Sequence, residues 1–261
     1  MKTSGYRFRS RAALSVALML FAGFVDAVGW LLLFRLFTAH MSGNTVAAGI
    51  RLARGQWSRA LFHGFPIPCF FVGVVSGAAL SEWLIRKRHP SVFFPSLALE
   101  GILLLILALG ARAGLLQRVD TPLFYLMGAL PALAMGLQNA TIRYVGKLTV
   151  RTTFITGILT GCAEALVAYC FWVGVQRKAR HPWSAILRHS LLQRSCIRAL
   201  LFAALWVGYL AGAVLGVFLQ DSFAGLSLLV PAAGLFAFAA LDLLHPLSTP
   251  RRREQLLHGT T

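Results

Sequence analysis

Long apolar stretches alternate with short polar and basic stretches along the whole chain. Six of the apolar stretches are close to the roughly 20 residues that cross a bilayer as a helix. They lie at about 12–36, 61–85, 95–115, 121–142, 198–219 and 222–245. The pattern predicts an all-α fold, a polytopic transmembrane helical bundle with about six spans.

Two further segments, about 38–50 and 152–175, are semi-polar and do not fit a plain span. On a helix their hydroxyl-bearing residues share one face, and lipid gives such a face no hydrogen-bond partner. Each is predicted to be a re-entrant or broken helix that faces water, a ligand or another helix, and the alternative is a further span. Small-residue helix packing explains the same pattern. Their polar residues are Thr38, Ser42, Asn44, Thr45, Thr153, Thr156, Thr160 and Glu164.

The composition agrees with a membrane location. Hydrophobic residues make up 57% of the 261-residue chain and charged residues 13%, against about 25% charged in soluble domains. The whole chain, 1–261, is therefore read as a single transmembrane domain.

The formal net charge of +17 comes from short basic clusters between the apolar stretches, rather than from one basic face. Such clusters set membrane topology, so no nucleic acid is expected as a partner. The lipid bilayer is the expected partner, and the basic tails 1–11 and 246–261 are expected in the cytoplasm. This orientation leaves Arg51, Arg54 and Arg59 on the outer face.

The two halves of the chain, about 12–115 and 121–245, contain similar motifs. Asp26 in the first half matches Asn139 in the second, and the segment that begins at Thr38 matches the one that begins at Thr152. Because each half would contain three spans, two such halves must be oppositely oriented. The pattern predicts an inverted 3+3 repeat, as found in many transporters.

Several polar side chains in the spans are candidates for a substrate or ion site. Ionisable groups at membrane depth usually face a cavity or a partner, although a buried hydrogen bond between helices is the alternative for each. Besides the two semi-polar segments, the candidates are Asp26, Glu100, Gln138 and Asn139.

Three classes of function fit this pattern to different degrees. The leading hypothesis is a small-molecule or ion transporter, with a proton as coupling ion through Asp26 or Glu164. The second is a non-transporting membrane scaffold or sensor. The third, an intramembrane hydrolase that uses His40 and Ser42, is weak because no base is placed beside a nucleophile, and the protein is expected not to be an enzyme.

No metal site or cofactor is expected, because neither the cysteine spacing nor any other motif matches a known site. The small number of spans favours a homodimer.

The same residues resemble those of a known family. The segments Phe21–Gly29 and His40–Thr45, with Ala134–Ala140 and Thr152–Gly157, resemble the YoaK-like bacterial membrane proteins, a family of unknown function. Family members usually carry Thr where this chain has Ser42. The resemblance implies a multi-span helical protein of the bacterial inner membrane, and it implies no particular substrate.

Overall fold

A computed structural model describes the backbone of residues 2–119, 121–142 and 155–246, with side chains for 12–119, 121–141 and 155–246. No strand occurs among these residues. The helices are α1 (Lys2–Leu32), α2 (Met41–Ala53), α3 (Trp57–Gly64), α4 (Pro66–Arg86), α5 (Phe94–Arg112), α6 (Pro122–Ile142), α7 (Ile155–Lys178), α8 (Trp183–Ser190), α9 (Arg194–Phe223) and α10 (Leu229–Leu244), with a 3-10 turn at Ala224–Leu228.

Six segments of the described chain are long and apolar enough to cross a membrane. This confirms the predicted polytopic helical bundle with about six candidate spans. The segments are Ala12–Leu32, Trp57–Arg86, Phe94–Arg112, Pro122–Thr141, Ile155–Lys178 and Arg194–Leu244, the last of which contains both α9 and α10.

Side-chain contacts show how the helices run relative to one another. α5 and α6 are antiparallel, because Gly110 faces Met127 at one end and Glu100 bonds to Gln138 further along. α5 and α10 are also antiparallel, since Gly101 faces Phe236 and the start of α5 bonds to Asp242. α1 and α9 are parallel, because the successive glycines Gly208, Gly212 and Gly216 face Val16, Leu20 and Phe24.

Two helix pairs pack backbone against backbone. In the α1–α9 pair, a methyl group on Gly23 would collide with the carbonyl oxygen of Tyr209, and one on Gly212 with that of Leu20. Small residues allow this close approach, which is how membrane helices gain packing energy without a hydrophobic driving force.

The α4–α6 pair repeats this arrangement. A methyl group on Gly136 would collide with the carbonyl oxygen of Phe70, and one on Gly73 with that of Leu133. Gly136 and Leu133 occupy the positions in the second half that Gly23 and Leu20 occupy in the first. The two close-packed pairs therefore match residue by residue.

The segment predicted at 38–50 contains a helix that is too short to span a bilayer by itself. Helix α2 has 13 residues, which span about 20 Å, less than the hydrocarbon core. The chain before α2 turns back after α1, and the methyl group of Thr38 packs against Gly29. Residues 33–40 therefore fold back beside the end of α1, and together with α2 they are called the re-entrant segment below.

The segment at 152–175 was predicted to be a re-entrant or broken helix, but its described residues belong to one continuous helix, α7. α7 has 24 residues and is apolar enough to cross the membrane. It is antiparallel to α9. Gly161, near the start of α7, faces Phe202 within α9, whereas Tyr169, further along α7, bonds to Ser190, which precedes the start of α9. α7 therefore runs in the same direction as α6.

Candidate functional site

Asp26 is buried at the centre of a hydrogen-bond cluster. Its Oδ1 accepts from the backbone N–H of Thr38 (2.9 Å), the Thr38 hydroxyl (3.0 Å) and the backbone N–H of Ala39 (2.9 Å). Its Oδ2 lies 2.6 Å from Nδ1 of His40 and accepts from the hydroxyl of Tyr209 at 2.7 Å. All its strong acceptor positions are used, so this carboxylate ties α1 to the re-entrant chain and to α9.

A second buried polar residue holds the turn that leads into this cluster. The amide of Asn44 accepts from the backbone N–H of Phe37 at 3.3 Å and donates to the Phe37 carbonyl at 2.8 Å. The Phe37 ring lies 4.5 Å from that of Trp30, centroid to centroid. Asn44, a candidate binding residue, is thus used here to fix the backbone.

Glu100 is also fully buried, but its hydrogen bonding is incomplete. Its Oε1 accepts from the amide nitrogen of Gln138 at 2.9 Å. Among the described residues, neither Oε2 of Glu100 nor Oε1 of Gln138 has a partner. Two buried acceptors on bonded side chains thus both lack a donor, which is uncommon in folded proteins.

Further polar atoms of α4, α5 and α6 share this property. Within the described chain, Oδ1 of Asn139 and the hydroxyls of Ser81 and Ser96 are buried without partners. Ser96 lies one helical turn before Glu100 on α5, and Asn139 follows Gln138 on α6. The buried side chains around α5 and α6 therefore have more hydrogen-bond donors and acceptors than the described hydrogen bonds use.

The remaining candidates lie on exposed helix faces. Ser42 and Thr45 are exposed on α2, as are Thr156, Thr160 and Glu164 on α7. Two of the hydroxyls bond within their own helices, Thr45 to the Met41 carbonyl and Thr160 to the Thr156 carbonyl. Thr153 lies outside the described residues.

The predicted residues therefore fall into separate groups. Asp26 and Thr38 form one cluster, and Glu100 and Gln138, with Asn139 beside them, form another. No hydrogen bond joins the two clusters in the described part of the chain, so Asp26 and Asn139 are not brought together by direct bonding. In the same part of the chain, no three His, Cys, Asp or Glu side chains are grouped as metal ligands would be.

Two important residues are not among the site candidates of the sequence analysis. Tyr209 lies in an apolar span, where a hydroxyl needs a buried acceptor, and that requirement was the available signal. Asp242, near the end of the last span, accepts from the backbone N–H groups of Phe93 and Phe94 at 3.0 Å each and so caps α5.

Comparison with known proteins places the chain in a family. The model of the family described as "Protein of unknown function (DUF1275)" matches residues 14–241. The chain belongs to this family. It is 26% identical over 197 residues to the UPF0700 transmembrane protein YoaK of Bacillus subtilis (strain 168), covering 74% of this chain and 83% of that protein.

A second relative extends the match over more of this chain. The chain is 28% identical over 233 residues to the UPF0700 transmembrane protein RA0705 of Rhizobium meliloti (strain 1021), covering 88% of this chain and 86% of that protein. No solved structure matches. The predicted resemblance to YoaK-like membrane proteins of unknown function is thereby confirmed.

Proposed function

We propose that the protein is a small proton-linked transporter whose proton site is Glu100, with Gln138 and Asn139 beside it. The observation that carries this proposal is the buried Oε2 of Glu100, which lacks a partner in the described chain next to an equally unpartnered Gln138 carbonyl. Carboxyl groups within membrane spans commonly mark ion and proton pathways.

The chemistry of the pair supports a role in proton binding. A proton on Glu100 converts one acceptor into a donor, which can satisfy the carbonyl of Gln138 while the existing 2.9 Å bond is kept. Without that proton, a charged carboxylate with an unused oxygen remains buried, which is unfavourable unless a cation or water enters. The protonated and deprotonated states thus favour different surroundings, as coupling of protons to transport requires.

The relationship between the two halves gives further support. The matched α1–α9 and α4–α6 contacts, together with the directions of the helices, agree with an inverted 3+3 repeat. In such transporters, ion and substrate sites lie at the interface between the repeats. Glu100 on α5, from the first half, bonds across that interface to Gln138 on α6, from the second.

We also propose an orientation in the bacterial inner membrane. The face at which α1 begins also carries the end of α4 and the start of α9, with basic residues that include Arg86, Lys87, Arg194 and Arg198. The excess of Lys and Arg there assigns this face to the cytoplasm. With six spans, this orientation supports the proposal that both termini are cytoplasmic. A homodimer remains the expected assembly.

The test is proton movement in liposomes that contain purified protein and a trapped pH-sensitive dye. Amino acids, organic acids, amines and metal cations are added in turn, each as an inward gradient. We expect at least one class to move protons through wild type and not through Glu100→Gln, because the amide of Gln cannot release a proton.

Glu164→Gln is the matched control, since it removes a carboxyl from a membrane helix at an exposed position. It should retain the flux. Equal flux through wild type and Glu100→Gln would contradict the proposal. Wild-type vesicles that pass none of these compounds would favour a scaffold instead.

A non-transporting scaffold or sensor is the second candidate, and one specific observation favours it. All the strong acceptor positions of Asp26 are used by bonds between α1, the re-entrant segment and α9, as expected of a structural bond. The hydrolase hypothesis gains no such support, because Ser42 is exposed and no hydrogen bond joins it to His40 among the described residues.

A further inference from the structure

An open basic cavity of about 280 Å³ lies beside the end of α1, between the re-entrant segment, including α2, and the end of α3. Its lining includes four basic side chains, those of Arg35, Arg51, Arg54 and His63. None of the described residues that line it is acidic. The cavity is separate from the Glu100 cluster, and its binding role does not depend on transport.

The arginines of this cavity are held by local structure. Phe34 and Arg35 both have left-handed backbone angles, with φ of 52° and 67°, which bulky residues rarely adopt. The turn is kept in this shape by the two hydrogen bonds between buried Asn44 and Phe37. Strain of this kind persists where the surrounding structure imposes it and often marks functional segments.

A hydrogen bond next to the cavity orients the guanidinium of Arg51. Nη1 of Arg51 donates to the side-chain oxygen of Gln56 at 2.9 Å, which leaves its other N–H groups available to a ligand. No carboxylate of the described chain forms an ion pair with Arg35, Arg51 or Arg54. Three positive charges around one cavity repel each other, so an anion between them relieves this repulsion.

The cavity has an apolar wall as well as a charged one. Trp30 and Phe37, whose rings are in contact, line it. Nearby on α3, Trp57 and Leu61 are 69% and 72% exposed. Exposed aromatic and apolar residues at the end of a span are typical of the headgroup region, so the cavity opens where lipid headgroups and soluble anions are both accessible.

We propose that this cavity binds a phosphate-bearing anion. Planar guanidinium groups match phosphate oxygens in pairs of parallel hydrogen bonds, and several of them around one cavity suit a phosphate better than a carboxylate. Two sources offer this chemistry, the headgroup of an anionic phospholipid and a soluble phosphate compound. The site also accounts for an arginine cluster on the face that the orientation proposed above assigns to the exterior.

The test measures both sources with the full-length protein. In the first arm, delipidated protein in neutral detergent is titrated calorimetrically with inorganic phosphate and with glycerol phosphate. In the second arm, native mass spectrometry compares retention of phosphatidylglycerol and phosphatidylcholine. The variants are Arg51→Gln/Arg54→Gln and Arg51→Lys/Arg54→Lys, and the control is Arg59→Gln, an exposed arginine on α3 that does not line the cavity.

We expect saturable binding in at least one arm. The Gln double variant should weaken it about tenfold or more, equivalent to about 1.4 kcal/mol. The Lys variant, which keeps the charge but loses the paired geometry, should give an intermediate loss, and Arg59→Gln should change affinity less than about twofold. Binding in the calorimetric arm alone identifies a soluble phosphate compound, and selective retention of phosphatidylglycerol alone identifies a lipid.

Several outcomes would overturn the proposal. Absence of binding in both arms is one, and equal weakening by Arg59→Gln and the Gln double variant is another. Binding of acetate or citrate without binding of phosphate would replace it with a carboxylate site. The Lys variant keeps the test decisive if the Gln variant does not fold, because the Lys variant retains the positive charges.

Discussion

Asp26 and Glu100 are both buried carboxyl groups in membrane helices, yet their surroundings differ. The two oxygens of Asp26 contact two backbone N–H groups and three side chains. Glu100 has one donor, and its second oxygen is unpartnered within the described chain. A carboxylate with all its donors in place stabilises one structure, whereas one that lacks donors is free to exchange a proton or a ligand.

The comparison assigns the two residues opposite roles, which the sequence alone did not separate. Both were candidates for a substrate or ion site on the same argument from membrane depth. The distinguishing feature is the number of donors that face each carboxyl, which depends on how α1, α9, α5 and α6 pack. Substitutions at the two sites should therefore affect different measurements.

The largest effect is expected for Asp26→Ala. The substitution leaves two backbone N–H groups, the hydroxyls of Thr38 and Tyr209 and the ring of His40 without their acceptor. A buried donor left unsatisfied costs about 1–3 kcal/mol, so the total loss should exceed that of any other single substitution considered below. Unfolding of purified protein in detergent by a denaturant measures the loss. A change in the free energy of unfolding below about 1 kcal/mol would show that the cluster does not hold the re-entrant segment.

The next largest effect is expected at the close-packed glycines. Gly212→Ala in the α1–α9 pair and Gly73→Ala in the α4–α6 pair each place a methyl group against a backbone carbonyl. Overpacking of this kind destabilises by about 1–3 kcal/mol, and the two matched positions should respond alike. The same unfolding measurement applies.

Gly49→Ala is the control for this pair, because nothing lies within 4 Å of an added methyl group there. It should be neutral, or slightly stabilising because alanine favours a helix. A large loss at Gly212 without one at Gly73 would contradict the equivalence of the two helix pairs and weaken the inverted repeat.

At Glu100 the identity of the replacement should decide the outcome. Glu100→Ala leaves the buried Gln138 amide without its acceptor and should destabilise by about 1–3 kcal/mol. Glu100→Gln keeps an acceptor for that amide and adds a donor, so stability should change by less than about 1 kcal/mol while proton-linked transport is lost. Equal destabilisation by both variants would give Glu100 the same structural role as Asp26.

The smallest effect is expected at Thr160→Val. The Thr160 hydroxyl donates to a carbonyl of its own helix and is exposed, so valine removes no contact between helices. Exposed substitutions of this type usually change stability by less than about 0.5 kcal/mol. A larger loss of stability, or a loss of transport, would show that the exposed face of α7 belongs to a site or to an interface between two copies.

Much of the fold follows from local properties of the sequence. Spans are visible because lipid requires about 20 apolar residues in a row, and the re-entrant segment is visible because Thr38, Ser42 and Thr45 do not suit lipid. The length of α7 was less predictable. Thr160 bonds within its own helix, so a polar residue there does not break the helix.

The candidate site was predicted in composition but not in arrangement. Glu100, Gln138 and Asn139 were identified as polar residues in apolar spans, whereas the bond between Glu100 and Gln138 depends on the register of α5 against α6. The partners of Asp26 could not be assigned for the same reason, because Tyr209 is distant in sequence and reaches it only through α1–α9 packing.

The most direct test of the central claim is infrared difference spectroscopy of the protein in liposomes during a change of pH. The stretching band of a protonated carboxyl reports whether Glu100 gains and loses a proton. We predict that one pH-dependent component of the carboxyl band is present in wild type and in Glu164→Gln and is missing from Glu100→Gln. The same band in all three proteins would show that another group carries the proton and would contradict the account.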